Sequence, residues 1–289
     1  MKFKSVFCCA MATIGGAVAA LACTSAIIGP GASLSGKTLL WKHRDTSHKH
    51  NFVRRVERPG RLPFIALFNA SDTALAEAWV GVNKAGFAVM NTASYNLAPD
   101  TATYVDREGF IMAQALGQCH TLADFEALLD SLPRPLGVQA NFGAIDSSGA
   151  GAYYETDDHG YTKYALRADS MLIRTNFSLG GKCGPGLGRE RYAAACHLLS
   201  ERRDISPLTL TDTVSCSYWP RLTPPAPEDD HGQYIPRRST TASVVIEGRT
   251  MTVRLGNPTA PGARTYRVTL DSIPIELLPD TTFHSPARR

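Results

Sequence analysis

The residue with the clearest capacity for chemistry in this chain is Cys23, because of the segment that precedes it. Residues 1–22 carry two lysines near the start, then an apolar stretch, and end in Ala-Leu-Ala at 20–22. This is the pattern of a secretory signal peptide with a small-residue cleavage site. Cleavage after Ala22 would leave Cys23 as the first residue of a mature chain, 23–289, which we expect to form a single domain.

A cysteine at a chain terminus carries a thiol and a free α-amine on the same residue. The thiol is a nucleophile, and the amine, with a pKa near ~8, can take up its proton. An uncleaved signal, or any extra residue before Cys23, would acylate this base and inactivate it. The sequence therefore predicts a catalytic nucleophile that is switched on by processing.

A second group of reactive side chains, Lys42-His43-Arg44-Asp45, follows Cys23 after about twenty residues. Two adjacent antiparallel strands of this length would return Asp45 to the side of Cys23, where its carboxylate could bind the amine or the thiol. A cation such as Lys42 or Arg44 would favour the thiolate. We therefore expect Asp45 to act with the nucleophile, and we expect Lys42, His43 and Arg44 to contact the substrate.

Composition and charge exclude several other classes of function. Of the 289 residues, 44% are hydrophobic and 19% are charged, values typical of a globular protein. Lys2 and Lys4 account for the charge of the signal, so removing it lowers the net charge from +4 to +2. This near balance argues against a nucleic-acid-binding protein. After residue 22 there is no apolar run of transmembrane length, so we expect no spanning helix.

Cysteine usage points to one free thiol. Five cysteines remain after the signal: Cys23, Cys119, Cys183, Cys196 and Cys216. An odd number in an exported protein indicates one unpaired, reactive cysteine. If that is Cys23, the other four either form two disulfides or are buried free cysteines. No spacing of Cys or His indicates zinc, and we expect neither a metal nor an organic cofactor.

The remaining chain alternates short strands with a few helices. Helical spacing predicts helices over 107–117, 121–132 and 189–201, and Thr121 with Asp124 resembles a capping box at the start of the second. We predict a long loop over 218–238 and a frayed tail from Pro279. The predicted strands are 24–28, 37–41, 77–82, 87–91, 141–146, 151–156, 161–167, 241–246, 251–255 and 265–270. Meandering strands with separate helical blocks indicate an α+β fold.

Several motifs stand in order over 23–255. They are Cys23-Thr24, Lys42 with Asp45, Asn83-Lys84-Ala85-Gly86-Phe87-Ala88, Asn91, Ile145-Asp146 to Tyr154-Glu155, Arg174-Thr175-Asn176 and Arg189-Glu190-Arg191-Tyr192. Together they resemble the N-terminal-nucleophile (Ntn) cysteine hydrolases, a family that includes choloylglycine hydrolases, penicillin V acylases, isopenicillin-N acyltransferases and acid ceramidase.

The resemblance implies a four-layer αββα sandwich with two stacked, mostly antiparallel sheets. It implies an amidase that cleaves linear carbon–nitrogen bonds of a small-molecule amide, or transfers the acyl group, through a thioester on Cys23. In this family Asn91 and Asn176 would bind the substrate oxyanion, and Arg191 would be a site arginine. Bile-salt amides, N-acyl amino acids, penicillins, peptides and ceramide-like amides all remain open as substrates, and the protein could form an oligomer.

Two features depart from the family pattern. Lys42 stands where the family has arginine, and the two cations are not interchangeable at a bidentate site, so either Lys42 or Arg44 takes that role. The interval from Asn176 to Arg191 is much shorter than in bile-salt hydrolases, which have an assembly loop there. This weakens the assignment to bile salts and to a tetramer. Residues 234–241 lead into a predicted strand and are expected to border the pocket.

Three alternatives remain open at this point. A signal that ends at cysteine is also read by the lipoprotein pathway, which would lipidate Cys23 and place the chain at the outer membrane. The sequence Ala-Leu-Ala fits ordinary signal peptidase better, so we expect a periplasmic or secreted protein. A binding protein with an inert Cys23 and a dipeptidase of the related Cys-Thr group are the other two.

Overall fold

The strands and helices of the protein alternate along the chain much as their sequence patterns predict. The computed structural model describes residues 23–97, 107–183, 188–217 and 235–278. The predicted signal, most of the loop predicted over 218–238, and the tail from Pro279 lie outside the described residues. The strands are β1 (Thr24–Ile28), β2 (Leu39–Asp45), β3 (Asn51–Val56), β4 (Phe64–Asn69), β5 (Val80–Asn83), β6 (Ala88–Ala93), β7 (Ala140–Ile145), β8 (Gly151–Thr156), β9 (Tyr161–Ala165), β10 (Met171–Arg174), β11 (Thr240–Glu247), β12 (Thr250–Leu255) and β13 (Thr265–Val268).

The strands form two antiparallel sheets. The first sheet has six strands in the order β10-β1-β2-β11-β12-β13, and the second has seven in the order β3 to β9. The longer helices are α1 (Glu108–Leu116), α2 (Leu122–Ser131) and α3 (Arg189–Ser200). A π-helical turn (Thr209–Thr213) and two 3-10 turns (Val214–Cys216 and Ile275–Leu277) complete the described elements.

Three apolar cores separate four layers. The core between the sheets contains residues such as Ile27, Leu40 and Val244, which point from the first sheet toward the second. Phe125 and Leu129 of α2 pack with the outer face of the second sheet. Ala194 of α3 packs with the outer face of the first sheet. This arrangement confirms the predicted αββα sandwich.

The helices begin and end close to their predicted positions because their end signals are local. α2 starts with a complete capping box, in which the Thr121 hydroxyl accepts from the backbone N–H of Asp124 at 3.2 Å and the Asp124 carboxylate accepts from the N–H of Thr121 at 3.0 Å. Hydrogen bonds from backbone N–H groups lower the pKa of Asp124. α3 starts at Arg189 and ends at Ser200, within the predicted range.

The sequence patterns assigned no strand to β3, β4 or β10; β3 and β4 belong to the second sheet, and β10 is an edge strand of the first. β3 carries two exposed arginines in succession, Arg54 and Arg55, which break the alternation expected of a half-buried strand. β4 is buried at every position, and a short continuous apolar run does not distinguish a strand from a buried helix.

The five cysteines are all free, which agrees with the alternative of free cysteines, although only Cys119 of the four beyond Cys23 is buried. Cys23 and Cys119 are buried, whereas Cys196 and Cys216 are half-buried and Cys183 is exposed. Burial raises the pKa of the Cys119 thiol to about 12, so this thiol is protonated and unreactive at neutral pH. Of the helices in the described ranges, none has both the length and the apolar character needed to cross a membrane.

Candidate active site

The candidate site is built around the pairing of β1 with β2. Thr24 lies opposite His43 and Ala26 lies opposite Trp41 in the antiparallel register. Successive side chains of a strand point to opposite faces of the sheet. Ile27 and Leu40 lie in the core between the sheets, so Cys23 shares this inner face, along with Lys42 and Arg44. Trp41 packs toward α3, so the outer face carries Thr24 and His43.

A cavity of about 510 Å³ opens beside Cys23 on the inner face. Its lining is polar and charged apart from the Cys23 sulfur and the side chains of Trp79 and Ala93. The other lining residues are Lys42, Arg44, Asp45, Thr46, Ser47, His48, Asn69, Ser71, Glu77, Asn91 and Glu108. Cys23 is 7% exposed, and its thiol donates to the backbone oxygen of Asp45 at 3.7 Å. The predicted nucleophile therefore faces a cavity large enough for a small molecule.

Lys42 and Asn91 meet inside this cavity. The ammonium of Lys42 donates to the side-chain oxygen of Asn91 and, at 2.9 Å, to the backbone oxygen of Trp79. The side-chain nitrogen of Asn91 donates to the carboxylate of Glu108, the first residue of α1. All three side chains are buried. The structure thus brings two predicted site residues together and adds Glu108, which the sequence analysis did not select.

Arg44 occupies a separate part of the cavity wall. Its guanidinium lies 4.8 Å from the centre of the Trp79 ring and donates to the side chains of Asn51 and Asn69, the latter at 2.8 Å. Burial lowers the pKa of Arg44 to about 10, while the nearby Cys23 and Glu77 act in the opposite direction. Arg44 therefore stays charged at neutral pH and stands close to the thiol.

Asp45 ends β2, and its two polar groups point to different partners. The backbone oxygen accepts from the thiol, whereas the carboxylate accepts from the hydroxyl of Thr240 at 2.5 Å. The Nε2 atom of His43 lies 3.1 Å from the Thr240 hydroxyl and 3.7 Å from the same carboxylate oxygen of Asp45. Thr240 begins β11, within the segment 234–241 that was expected to border the pocket. The hydrogen bond of the thiol thus goes to the Asp45 backbone, a geometry that the hairpin argument did not anticipate.

His43 lies on the outer face of β2 and is not among the residues that line the cavity beside Cys23. Its ring is fully buried, and burial followed by the charge of Arg191 lowers its pKa to about 3. His43 is therefore neutral at physiological pH. Its predicted contact with substrate stays a prediction, and the structure places it beside Thr240 and Asp45 instead.

Arg191 connects helix α3 to the start of β1. Its guanidinium donates to the backbone oxygen of Cys23 at 2.7 Å and to the hydroxyl of Thr24 at 2.9 Å. It also donates to the side-chain oxygen of Asn176 at 2.6 Å. The Asn176 amide nitrogen donates to the backbone oxygen of Ala93, a cavity residue, at 3.1 Å. Arg191 and Asn176 therefore hold the start of β1 and Ala93 from outside the cavity. Asn176 does not itself line the cavity.

Two contributors to this site were missed by sequence reasoning, namely Glu108 and Trp79, whereas Thr240 lies in the segment 234–241 that was expected to border the pocket. An acidic residue in the first turn of a helix is common for reasons of the helix dipole alone, so Glu108 gave no special signal. Over the described ranges, no group of three or more His, Cys, Asp or Glu side chains is placed to hold a metal ion.

Comparison with known proteins finds likeness in structure only. No protein-family profile and no curated protein matches the sequence. A variant of conjugated bile acid hydrolase from Clostridium perfringens matches with a TM-score of 0.55 at 8% identity, over 86% of this chain and 92% of that one. An N-acylethanolamine-hydrolyzing acid amidase ortholog from Caenorhabditis elegans matches with a TM-score of 0.53 at 14% identity, over 85% and 99%.

Penicillin V acylase from Agrobacterium tumefaciens is a third similar structure, with a TM-score of 0.50 and 14% identity over 87% of each chain. These are proteins of the kind that the sequence motifs resembled, so the resemblance is confirmed at the level of the fold. The chain has the two-sheet fold of these hydrolases along nearly the whole length of each. At such low identity the likeness defines the fold, and the chemistry has to be argued from the site.

Proposed function

We propose that this protein is an exported cysteine amidase that hydrolyses linear carbon–nitrogen amide bonds of a small molecule, or transfers the acyl group, through a thioester on Cys23. One observation carries the proposal: Cys23 begins the central hairpin and faces a polar cavity that also contains Arg44 and Asn91. The fold shared with three amide hydrolases supports the same chemistry.

The proposed reaction begins with removal of residues 1–22, which would free the α-amine of Cys23. The sulfur attacks the amide carbonyl, and the amine takes up the thiol proton. The oxygen of the tetrahedral intermediate becomes negatively charged and would be bound by an N–H of Asn91. Collapse of the intermediate breaks the carbon–nitrogen bond, and the Cys23 α-ammonium returns the proton to the leaving amine. Water, or a second amine, then resolves the thioester.

Arg191 and Asn176 would act in this scheme by holding the first residue in place. The two hydrogen bonds from Arg191 to Cys23 and Thr24 fix the start of β1 relative to α3. A nucleophile that is also a chain terminus has no preceding residue to hold it, so contacts of this kind set the position of its sulfur. The backbone oxygen of Asp45 adds a further contact on the other strand.

The proposal is tested on the full chain expressed with its own leader and purified after export. Intact mass would give the first residue and any lipid on it. The wild type and Cys23→Ala are then assayed with a conjugated bile acid, an N-acylethanolamine, penicillin V and a dipeptide, with the released amine as readout. We expect a mass that starts at Cys23 without lipid, turnover of at least one amide, and none by Cys23→Ala at unchanged unfolding temperature.

Each contrary result has a definite meaning. A diacylglycerol adduct on Cys23 would support the lipoprotein alternative and exclude this mechanism. Turnover by folded Cys23→Ala at the wild-type rate would exclude Cys23 as the nucleophile. If only the dipeptide were hydrolysed, the protein would be a dipeptidase of the related Cys-Thr group. A second amine added to the assay separates transfer from hydrolysis, because only an acyltransferase would form the new amide.

A further inference from the structure

We infer that Glu108 is a positioning residue for the reaction proposed above: together with Lys42 it fixes the orientation of the Asn91 amide, so that an N–H of Asn91 faces the carbonyl oxygen attacked by Cys23. The inference rests on the proposed function and extends it to a residue that no sequence motif selected. It starts from a property of asparagine. The oxygen and nitrogen of its side-chain amide have nearly the same shape, so packing alone does not decide which way the group points.

The chemistry of the two neighbours decides the orientation. Lys42, when protonated, has three donors and no acceptor, so it can bind only the oxygen of Asn91. Glu108, when ionised, has only acceptors, so it can bind only the nitrogen. A flipped amide would point its oxygen at the carboxylate and its nitrogen at the ammonium. Both contacts would then be repulsive, inside a region where all three side chains are buried.

The Asn91 nitrogen carries two hydrogens, and the contact with Glu108 uses one of them. We assign the other to the carbonyl oxygen of the substrate, because Asn91 and Cys23 line the same cavity. The neighbouring charges also polarise the amide, since a cation at its oxygen makes its N–H groups better donors. A preorganised donor of this kind acts most strongly when the oxygen becomes negatively charged.

The positions of the three residues in the fold make the arrangement rigid. Lys42 lies in the central part of the first sheet, Asn91 on β6 of the second sheet, and Glu108 at the start of α1. The chain of contacts therefore joins three of the four layers. Lys42 is held further by the backbone oxygen of Trp79 at 2.9 Å.

The test compares two reactions of the same thiol in the exported full chain. Acylation by p-nitrophenyl acetate, followed as the burst of nitrophenolate, passes through an oxyanion. Alkylation of Cys23 by iodoacetamide, followed by mass spectrometry, is a displacement at carbon and forms no oxyanion. We expect Glu108→Ala to slow acylation about 10-fold to 100-fold. We expect it to change alkylation by less than about threefold, because the nucleophile itself is untouched.

Conservative and combined variants complete the design. Glu108→Gln keeps an acceptor oxygen for Asn91 and should restore acylation to within about threefold of wild type. Adding Glu108→Ala to Asn91→Ala should slow acylation no further than Asn91→Ala alone, because both act through one donor. Glu57→Ala, at an exposed acid that directly follows β3, is the matched control. If Glu108→Ala fails to fold, Glu108→Asp, which withdraws the carboxylate by one methylene, takes its place.

Three results would overturn the inference while leaving the proposed function intact. The first is wild-type acylation by Glu108→Ala when Cys23→Ala shows none. The second is an equal loss of acylation and alkylation, which would indicate general damage to the cavity. The third is a Glu108→Gln variant as slow as Glu108→Ala, which would make the charge, not the orientation, the cause. A burst retained in Cys23→Ala would instead overturn the proposed function itself.

Discussion

The two faces of strand β2 differ in what their polar groups are arranged to do. The inner face presents Lys42 and Arg44 to a cavity of about 510 Å³ next to Cys23. The outer face buries His43 beside Thr240 and the Asp45 carboxylate, near Arg191, and neither His43 nor Thr240 lines that cavity. The polar residues on both faces are buried, so burial alone does not identify the side that contains the candidate site. One strand therefore contributes Lys42 and Arg44 to the cavity wall from one face, and from the other it packs His43 beside Thr240, near the Arg191 that holds the start of β1.

This division predicts that outer-face changes reduce mainly stability, whereas inner-face changes reduce mainly catalysis. The largest effect is expected for Arg191→Met on the outer side. It leaves the acceptors on Cys23, Thr24 and Asn176 without their donor and removes a charge near Asp45. We expect a loss of about 3–5 kcal/mol in the free energy of unfolding, measured by urea denaturation at pH 7.

The matched control for Arg191→Met is Arg203→Met, at an exposed arginine just after α3. It should change the unfolding free energy by less than about 0.5 kcal/mol. If the two variants were equally stable, Arg191 would not support the start of β1, and the division between the two faces would fail.

On the inner face, Lys42→Met is expected to affect the rate more than the stability. It removes the donor to Asn91 and to the Trp79 carbonyl while keeping a side chain of similar length. We expect acylation by p-nitrophenyl acetate to slow about 30-fold to 100-fold, equivalent to about 2–3 kcal/mol in the barrier. Lys37→Met, at an exposed position in the loop before β2, should be as fast as wild type. A normal rate in Lys42→Met would show that the cation is not needed to orient Asn91.

The outer face should also determine how stability depends on pH. Because the pKa of His43 is lowered to about 3 in the folded protein, the unfolded chain binds more protons below pH ~6.5. The stability contributed by neutral His43 is therefore lost as the pH falls from about 6.5 toward 3. Between pH 6.5 and 4.5 this amounts to about 2–3 kcal/mol.

The measurement is the unfolding free energy of wild type and His43→Gln at both pH values. His43→Gln should lose about 2–3 kcal/mol less than wild type over this interval, whatever its stability at pH 6.5. His159→Gln, at an exposed histidine, should follow the wild type. Equal acid sensitivity in His43→Gln and wild type would contradict the assignment of a buried neutral ring.

The smallest of these effects is expected at Thr240, whose hydroxyl donates to Asp45 and accepts from the backbone N–H of Arg237 at 2.8 Å. Thr240→Val keeps the shape and removes both of these hydrogen bonds together with the contact to His43 at 3.1 Å, so we expect a loss of about 1–2 kcal/mol in the unfolding free energy. Thr240→Ser retains the hydroxyl and should recover most of it. The unfolding temperature of Thr240→Ser should therefore be higher than that of Thr240→Val. A serine variant no more stable than the valine variant would contradict the role of the hydroxyl.

Local patterns made much of this molecule predictable. The hairpin of β1 and β2 and the capping box at Thr121 and Asp124 depend on residues close together in the chain. The motif Lys42 to Asp45 was correctly placed next to Cys23 for the same reason. Even the separation of His43 from its neighbours follows from the period of two in a strand, since adjacent residues point to opposite faces.

The contacts that complete the site were not predictable from one sequence. Glu108 meets Asn91 across the boundary between a helix and a sheet, and Thr240 reaches Asp45 from 195 positions away. Such pairings depend on how layers stack, and nothing in the local sequence encodes them. β4 was missed for a related reason, because its identity as a strand follows from the neighbours that pair with it on both sides.

Because β2 pairs with β1 on one edge and β11 on the other, the number of residues in this strand is fixed. Deleting one residue between Lys42 and Asp45 would shift all later side chains of the strand to the opposite face. The side chains of the cavity wall and those of the outer face would then exchange places, and the contacts of both would be lost together. The preceding loop differs, because residues 34–37 are exposed and can take insertions without disturbing the strand. Its first residue is less tolerant: a Cβ on Gly29 would lie 2.4 Å from the carbonyl oxygen of Ala168.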